Sequence, residues 1–509
     1  MPSPTALYSV SEIRAIEQSA IASLPAGMLM QRAGRAAADL AMNLISAPIT
    51  SASVLILAGP GNNGGDALEV AHLLAGTGVH VTVLLCANAE QQPSDARQAL
   101  ARAKGSAIQF ADLTDGSLPS PANWNLIIDG LFGIGLARGI AGHLQRLIET
   151  VNTFNCPILA LDVPSGLDAD TGSIVGDGGI AIRASHTITF IGDKPGLHTC
   201  EGRDYAGEVR VADLDIDAKH FQLAKMYLNS LDAFASFLRI RRHNSHKGSY
   251  GDTIIIGGAR GMAGAPILAA RAAAKCGAGR VFAAFIESPP AYDSMHPELM
   301  CRNARDMDFS SGTLVVGPGL SMSREAYDIL VKALLAPGPL VLDADALNLI
   351  AAEPALQQSL AQRKKSTIMT PHPLEAARML GTSAKNIQAD RLGSARKLAQ
   401  QFNAIVILKG SGSIIAKTDG ELMINTTGNP ALATAGTGDV LAGMCGALMA
   451  QSFPAWNAAL AATWLHGQAA DSLVSQGVGP IGVVASEMIP SMRTILNQVT
   501  QLHGNQTTV

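Results

Sequence analysis

Short apolar runs rich in Val, Ile and Leu recur along the chain, each followed by a stretch whose apolar positions have helical spacing. In the first part the runs are Val54 to Ala58, Val79 to Leu85, Leu126 to Ile128, Ile158 to Leu161 and Thr187 to Ile191. This alternation predicts an α/β fold with a mainly parallel sheet and helices on both faces. After Val209 to Val211 the strand rhythm is lost, and a helical stretch leads to the basic segment Arg241, Arg242, His243. A second series follows: Thr253 to Ile256, Arg280 to Ala284, Thr313 to Val316, Leu340 to Leu342, Thr367 to Met369 and Ile405 to Leu408. The expected domains are therefore 1–224 and 225–509, both α/β, and they do not look like copies of one another.

The ends of the pattern bear on targeting. Ser9 and Glu12 have the spacing of a capping box ahead of an amphipathic helix, with no basic segment and apolar core before it. The chain is expected to begin there and to stay cytoplasmic. Leu441 to Ala470 contains no Asp, Glu, Lys or Arg, but Gln451, Ser452, Pro454, Asn457 and His466 interrupt it. Two buried helices are expected there in place of a membrane span.

Composition narrows the class of ligand. A formal charge of −4 and a charged fraction of 15% leave no basic field for a phosphate backbone, so nucleic acid is not an expected partner. The 51 glycines exceed the usual share while aromatics are only 4%, which suits glycine loops around small molecules. The six cysteines are far apart and form no CxxC pair, so they read as reduced core residues.

In open parallel sheets ligands bind beyond the carboxyl ends of the strands. Three such loops stand out in the first half. Gly59-Pro60-Gly61-Asn62-Asn63-Gly64-Gly65-Asp66 precedes the helical run Ala67 to Leu74, and its glycines would let backbone N–H groups approach phosphate. Gly59, Gly61 and Gly64 satisfy GxGxxG, but the second strand ends near Cys86 without the acidic residue of a dinucleotide fingerprint. A tight turn with Asp66 as an N-cap is the plainer reading. The other loops are Asp129 to Gly139 and Asp162-Val163-Pro164-Ser165-Gly166-Leu167-Asp168. Asn63, Asp129 and Ser165 could converge on a hard cation, or each could serve a turn or cap. Asp162 is a candidate acid or base, with a helix cap as the alternative.

The second half has no GxxxxGK[ST], so phosphate chemistry there needs another architecture. Gly436-Thr437-Gly438 leads into an apolar helix, where free N–H groups can stabilise a transferring phosphoryl group, and Asp439 follows as a base or as an N-cap. Lys409-Gly410-Ser411-Gly412-Ser413 supplies a cation and hydroxyls for phosphates, or a hairpin turn. His372, between two prolines in Thr370 to Glu375, is a ligand contact or a structural histidine. Asp343 and Asp345 could serve a metal or substrate, or cap the next helix.

The motifs GPGNNGGD, DGLFGIGLARG and LDVPSGLDADTG together resemble the NAD(P)H-hydrate epimerase domain, also called the YjeF N-terminal domain. The second half resembles the ribokinase-like ADP/ATP-dependent NAD(P)H-hydrate dehydratase domain over about residues 243 to 490, including Ser245-His246-Lys247-Gly248. Sugar kinases of that fold usually show GAGD where this chain has Gly436-Thr437-Gly438-Asp439. The resemblance implies a Rossmann-like three-layer domain followed by a ribokinase-like domain, acting on NADHX and NADPHX. It implies substrate contacts at Asn62, Asn63, Gly64, Gly65, Asp66, Gly133, Ile134, Gly135, Leu136, Ala137, Arg138, Gly139 and Asp162, with potassium (K+) on Asn63, Asp129 and Ser165. In the second half it implies ADP at Lys409, Gly410, Ser411, Gly412, Ser413 and Gly438, and substrate at Ala265, Gly319, His372 and Asp439. Magnesium (Mg2+) is expected with ADP, and a homo-oligomer is expected. Asp162 and Asp439 are the expected catalytic groups. The rival expectation is a kinase for a vitamin precursor with an N-terminal nucleotide-binding sensor, and a non-enzymatic version keeps the first half as a binding module.

Overall fold

Strands form where β-branched and apolar residues can be buried on both faces, and in the computed structural model nearly every such run is a buried strand. The structure describes residues 3, 5–86, 92–112 and 123–503. It divides into two compact units, 1–226 and 227–509.

In the first unit the strand order is Ile108–Asp112, His80–Leu85, Ser53–Ala58, Leu126–Gly130, Ile158–Leu161, His186–Phe190, Glu208–Ala212. Every neighbouring pair is parallel. Ser53–Ala58 and Leu126–Gly130 are buried throughout apart from Ser53, as a sheet covered on both faces requires. The Val10–Ile21 helix opens with the expected capping box between Ser9 and Glu12. Ile108–Asp112 was not expected; its sequence IQFAD is too polar to read as a buried strand.

The second unit carries the order Leu422–Asn425, Ser413–Ala416, Ile405–Leu408, Thr367–Met369, Leu340–Leu342, Thr313–Val316, Asp252–Gly257, Arg280–Phe285, Met300–Asn303. Pairing is parallel from Met300–Asn303 to Ile405–Leu408. The chain then folds back twice, so Ser413–Ala416 and Leu422–Asn425 are antiparallel. Ser413, expected in a loop, begins a strand, and residues 409–412 form the hairpin connection that was the plainer reading. The uncharged stretch after Leu441 is two helices, Thr437–Ala450 and Ala455–Ser475. No helix among the described residues is long and apolar enough to cross a membrane. The cysteines are free; Cys86 and Cys156 are half-exposed and the other four are buried.

Thr437–Ala450 can lie against Gly264–Lys275 because Gly443 has no side chain: a Cβ there would run into the Ala269 backbone. Gly443→Ala should therefore cost the second unit about 1–3 kcal/mol. The expected readout is a lower urea midpoint for that unit, and an unchanged midpoint would show that the two helices have slack.

Candidate active sites

Ser53–Ala58 pairs with His80–Leu85 on one side and Leu126–Gly130 on the other. The strand order reverses at this point, which opens a crevice beyond the strand ends. A cavity of ≈ 1040 Å³ lies here, lined among others by Asn62, Asn63, Asp66, Gly133, Ile134, Gly135, Leu136, Ala137, Arg138 and Asp162. Three residues grouped with them in the sequence do not line it. A Cβ on Gly64 would strike the Gly59 carbonyl, one on Gly65 the Met30 side chain, and one on Gly139 would come 3.1 Å from the Val175 carbonyl oxygen. These glycines let backbone pack on backbone, whereas a Cβ on Gly61 or Gly135 would meet nothing within 4 Å.

The helix after the first loop is Asn62–Ala75, capped by Gly61, and so begins well before the expected Ala67. Asp66 is inside the helix and caps nothing, which corrects the N-cap reading. The N–H groups of the first turn are left without helical partners, beside the cavity that Asn62 and Asn63 line.

Beneath the cavity, Asp129 and Ser165 are fully buried. Ser165 Oγ donates to Asp129 Oδ1 at 2.6 Å, and the Ser165 N–H donates to Oδ2 at 2.8 Å. Burial pushes the Asp129 carboxyl up to about 6, against the pull of the hydrogen bonds from Ser165. Both polar atoms of the buried Asn63 amide lack a hydrogen-bond partner, an expensive arrangement unless something else satisfies them.

Asp162 ends its strand at φ 66°, a backbone conformation that a residue other than glycine rarely adopts. No helix follows it, which removes the cap alternative. Its Oδ1 meets Lys194 Nζ at 2.7 Å and the Phe190 N–H at 3.3 Å. Lys194 is wholly buried and also donates to Thr189 Oγ1 at 2.6 Å, the Phe190 carbonyl at 2.9 Å and the Gly192 carbonyl at 3.1 Å.

In the second unit the strand-end loops converge around another lysine. Lys409 Nζ lies 2.8 Å from Asp343 Oδ1 and 3.9 Å from Glu375 Oε2. Thr370 Oγ1 donates to the same Asp343 oxygen at 2.8 Å. Asp343 occupies the N-cap position of Ala344–Ala352 but makes no side-chain cap bond; its carboxylate is turned to Lys409 instead. Burial works against the Lys409 ammonium, yet the Asp343 and Glu375 carboxylates outweigh it and raise its pKa. Asp345 Oδ2 accepts the Ser321 N–H at 2.8 Å, tying its helix to the loop that carries Gly319.

Thr437–Ala450 starts after Gly436, which sits at φ 91°. Asp439 is the third helical residue and not the cap. A Cβ on Gly438 would lie 3.3 Å from Lys409 Nζ, so the ammonium stands against the helix N-terminus. Burial, then the Asp343 carboxylate, pushes Asp439 up to about 7, while Lys409 pulls it back. Gly319 and Ala265 are neighbours, 3.5 Å apart measured from a Cβ placed on the glycine. His372 caps Pro373–Leu380: its Nδ1 accepts the N–H groups of Leu374 at 3.1 Å and Glu375 at 3.2 Å. Burial, then Lys409, lowers its pKa, and its Nε2 faces Glu375 Oε1 at 3.2 Å. In the hairpin, Gly410 and Ser413 bond one another, with Ser413 Oγ donating to the Gly410 carbonyl at 3.1 Å. Ser411 is exposed at its tip, whereas Gly412 is buried.

Proteins similar to this chain over nearly its whole length carry one description. Bifunctional NAD(P)H-hydrate repair enzymes from Coxiella burnetii and Escherichia coli K12 are each 35% identical, covering 97% of this chain and 100% and 94% of theirs. The one from Vibrio cholerae is 37% identical over 98% of this chain and 99% of its own. The chain belongs to the bifunctional NAD(P)H-hydrate repair enzymes.

In this repair enzyme, residues 26–196 match the family described as YjeF-related protein N-terminus, and residues 253–490 match NAD(P)H-hydrate dehydratase. The first unit is thus the epimerase domain and the second the dehydratase domain. Among solved structures, the ADP/ATP-dependent NAD(P)H-hydrate dehydratase of Bacillus subtilis is 27% identical, with a TM-score of 0.47 over 53% of this chain and 98% of that one. A yeast protein, YNL200c, is 22% identical, with a TM-score of 0.34 over 37% and 82%.

Several groups at these sites escaped the sequence reading. Lys194 follows a strand whose loop was not singled out. Arg391, wholly buried, donates to Gln388 Oε1 at 2.8 Å and to the Leu408 and Gly412 carbonyls at 3.4 and 3.3 Å beneath the hairpin. Glu17 joins the epimerase cavity from the N-terminal helix. For Glu375 a signal existed, the His372-to-Glu375 spacing of a capping box.

Lys194→Met should leave the Asp162 carboxylate unpaired in the interior and cost the epimerase unit about 3–5 kcal/mol in urea unfolding. Adding Asp162→Asn should recover most of that loss. Strictly additive losses would contradict the pairing.

Proposed function

We propose that the epimerase unit interconverts the R and S epimers of NADHX and NADPHX, and that the dehydratase unit converts the S epimer to NAD(P)H at the expense of ADP, yielding AMP and phosphate. The observation that carries this reading is Asp439: a carboxyl held near neutrality, at a helix N-terminus, with Lys409 against the adjacent glycine. A base must be free of its proton yet able to take one, and such a pKa meets both demands at neutral pH. Asp439 takes the proton of the substrate hydroxyl, whose oxygen then attacks the terminal phosphorus of ADP. The amides of residues 436–438 and the Lys409 ammonium face the charge on the transferring group. AMP departs, and the new phosphate ester is a better leaving group than hydroxide. Loss of phosphate from one ring carbon and a proton from the next restores the double bond.

The hairpin at residues 409–413 receives the nucleotide, and His372, Gly319 and Ala265 border the hydrated ring. Magnesium arrives with ADP, whose phosphates and waters supply ligands to it. In the epimerase unit Asp162 is the base. Potassium fits the oxygens of Asn63, Asp129 and Ser165: the unpartnered Asn63 Oδ1 is what an oxygen-seeking monovalent cation would satisfy, and the ion would order the loops that floor the cavity.

Incubation with NADHX and ADP should restore NADH absorbance. No recovery, with phosphorylation of a vitamin alcohol instead, would favour the kinase-and-sensor alternative. Asp439→Asn should lower dehydratase turnover at least about 10²-fold while ADP binding, followed by calorimetry, stays close to that of the parent. Because the base works deprotonated, kcat should fall about tenfold per pH unit below about 7 and level off above it; a flat profile down to pH 5 would exclude Asp439 as the base. Asp162→Asn should stop conversion of R-NADHX without slowing dehydration of the S epimer.

A further inference from the structure

The epimerase cavity is bordered by more carboxyl groups than Asp162. Glu17 reaches it from Val10–Ile21 and Asp66 from Asn62–Ala75. These groups are not equivalent. Asp162 is in an ion pair with Lys194 at 2.7 Å. Among the described residues, no hydrogen bond or ion pair engages the Asp66 carboxyl, although it stands where the epimerase site is built. Burial, then the negative charges of Asp162, Glu17 and Glu69, drives the Asp66 pKa well above the usual carboxylate range. One cavity therefore presents a carboxyl paired with a lysine from a strand end and, from a helix, an unpaired carboxyl that burial and like charge bias toward its protonated form. Unlike surroundings of this kind are how acid and base roles are divided between carboxyl groups.

We propose that Asp66 is the general acid that works with Asp162 in the epimerisation. The proposal rests on the epimerase reading above. A hydrated dihydronicotinamide carries its hydroxyl on the carbon bonded to the ring nitrogen, so the group is a hemiaminal. Asp162 removes the hydroxyl proton, and the O–H electrons become the second bond of a C=O. The carbon–nitrogen bond breaks, its electron pair stays on nitrogen, and nitrogen takes the proton of Asp66. The result is an open-chain aldehyde with an N–H enamine, a protonated Asp162 and an ionised Asp66. Rotation about the bond to the aldehyde carbon presents its other face. Nitrogen then attacks that carbon and returns its proton to Asp66, while the carbonyl oxygen takes the proton held by Asp162. The ring closes as the opposite epimer, both side chains are restored, and nothing is oxidised or reduced. The Asp162 carboxyl has the Lys194 ammonium beside it at 2.7 Å, and Asp66 explains how nitrogen can leave without carrying an unprotonated charge.

The test uses the full chain and purified R-NADHX without ADP, with chromatographic separation of the epimers. Asp66→Asn is expected to slow formation of S-NADHX by about 10²–10⁴-fold, while R-NADHX binding in calorimetry stays within about threefold of the parent. Turnover of Asp66→Asn close to that of the parent would overturn the proposal, and so would loss of binding in a folded protein, which would make Asp66 a contact and not an acid. Should Asp66→Asn fail to fold, Asp66→Glu decides: it keeps a transferable proton and should retain about a tenth of the parental rate or more, and a folded Asp66→Glu chain without turnover would sink the idea. A parent protein that converts no R-NADHX at all would instead remove the epimerase reading, and is told apart by that control.

Discussion

A lysine wholly or largely removed from water needs an anion at bonding distance, and each unit of this chain is arranged around one such pair at the carboxyl ends of its strands. Lys194 meets Asp162 at 2.7 Å, and Lys409 meets Asp343 at 2.8 Å. Separating either pair leaves a charge in a poorly solvating interior, which costs more than the pair gains over an apolar replacement. The loops bearing the paired residues are therefore fixed in position, and the other site residues take their places from them. In the epimerase unit the lysine reaches back to the strand-end aspartate that lines the cavity. In the dehydratase unit it joins the loop after Leu340–Leu342, the loop after Thr367–Met369 and the first turn of Thr437–Ala450.

The same constraint divides roles among the acidic residues. With few charges in the chain, the carboxylates near each site are closely spaced and only some have a cation. Asp162 and Asp343 are paired, whereas Asp66 and Asp439 carry the burden of burial and of like charge. Pairing and its lack thus place chemically identical side chains in unlike electrostatic surroundings.

The layered architecture was legible because the buried parallel strands are unmixed apolar runs, and loops with chemistry follow them by the geometry of the fold. The edges were not. Ile108–Asp112 and Met300–Asn303 are polar enough to pass for loops, and Ser413–Ala416 was concealed by the motif that it ends. Site residues were legible where they share one loop, as Asn62 to Asp66 do. Lys194 and Arg391 were not, because their partners are made by folding: Arg391 stands 17 and 21 residues before the hairpin carbonyls it holds, and no local spacing announces a buried guanidinium. The glycines show a further limit. Their number pointed to phosphate cradles, but Gly59, Gly64 and Gly65 mostly admit close packing of backbone and side chains.

Arg391 also bears on how the hairpin at residues 409–412 behaves when nothing is bound. A hairpin tip rich in glycine and serine would ordinarily sample many conformations, and binding would have to select among them. Here a guanidinium sealed inside the fold grips the carbonyls at both ends of the turn. The entropy of ordering that loop is thus spent when the chain folds, so whatever approaches the hairpin meets a loop already set.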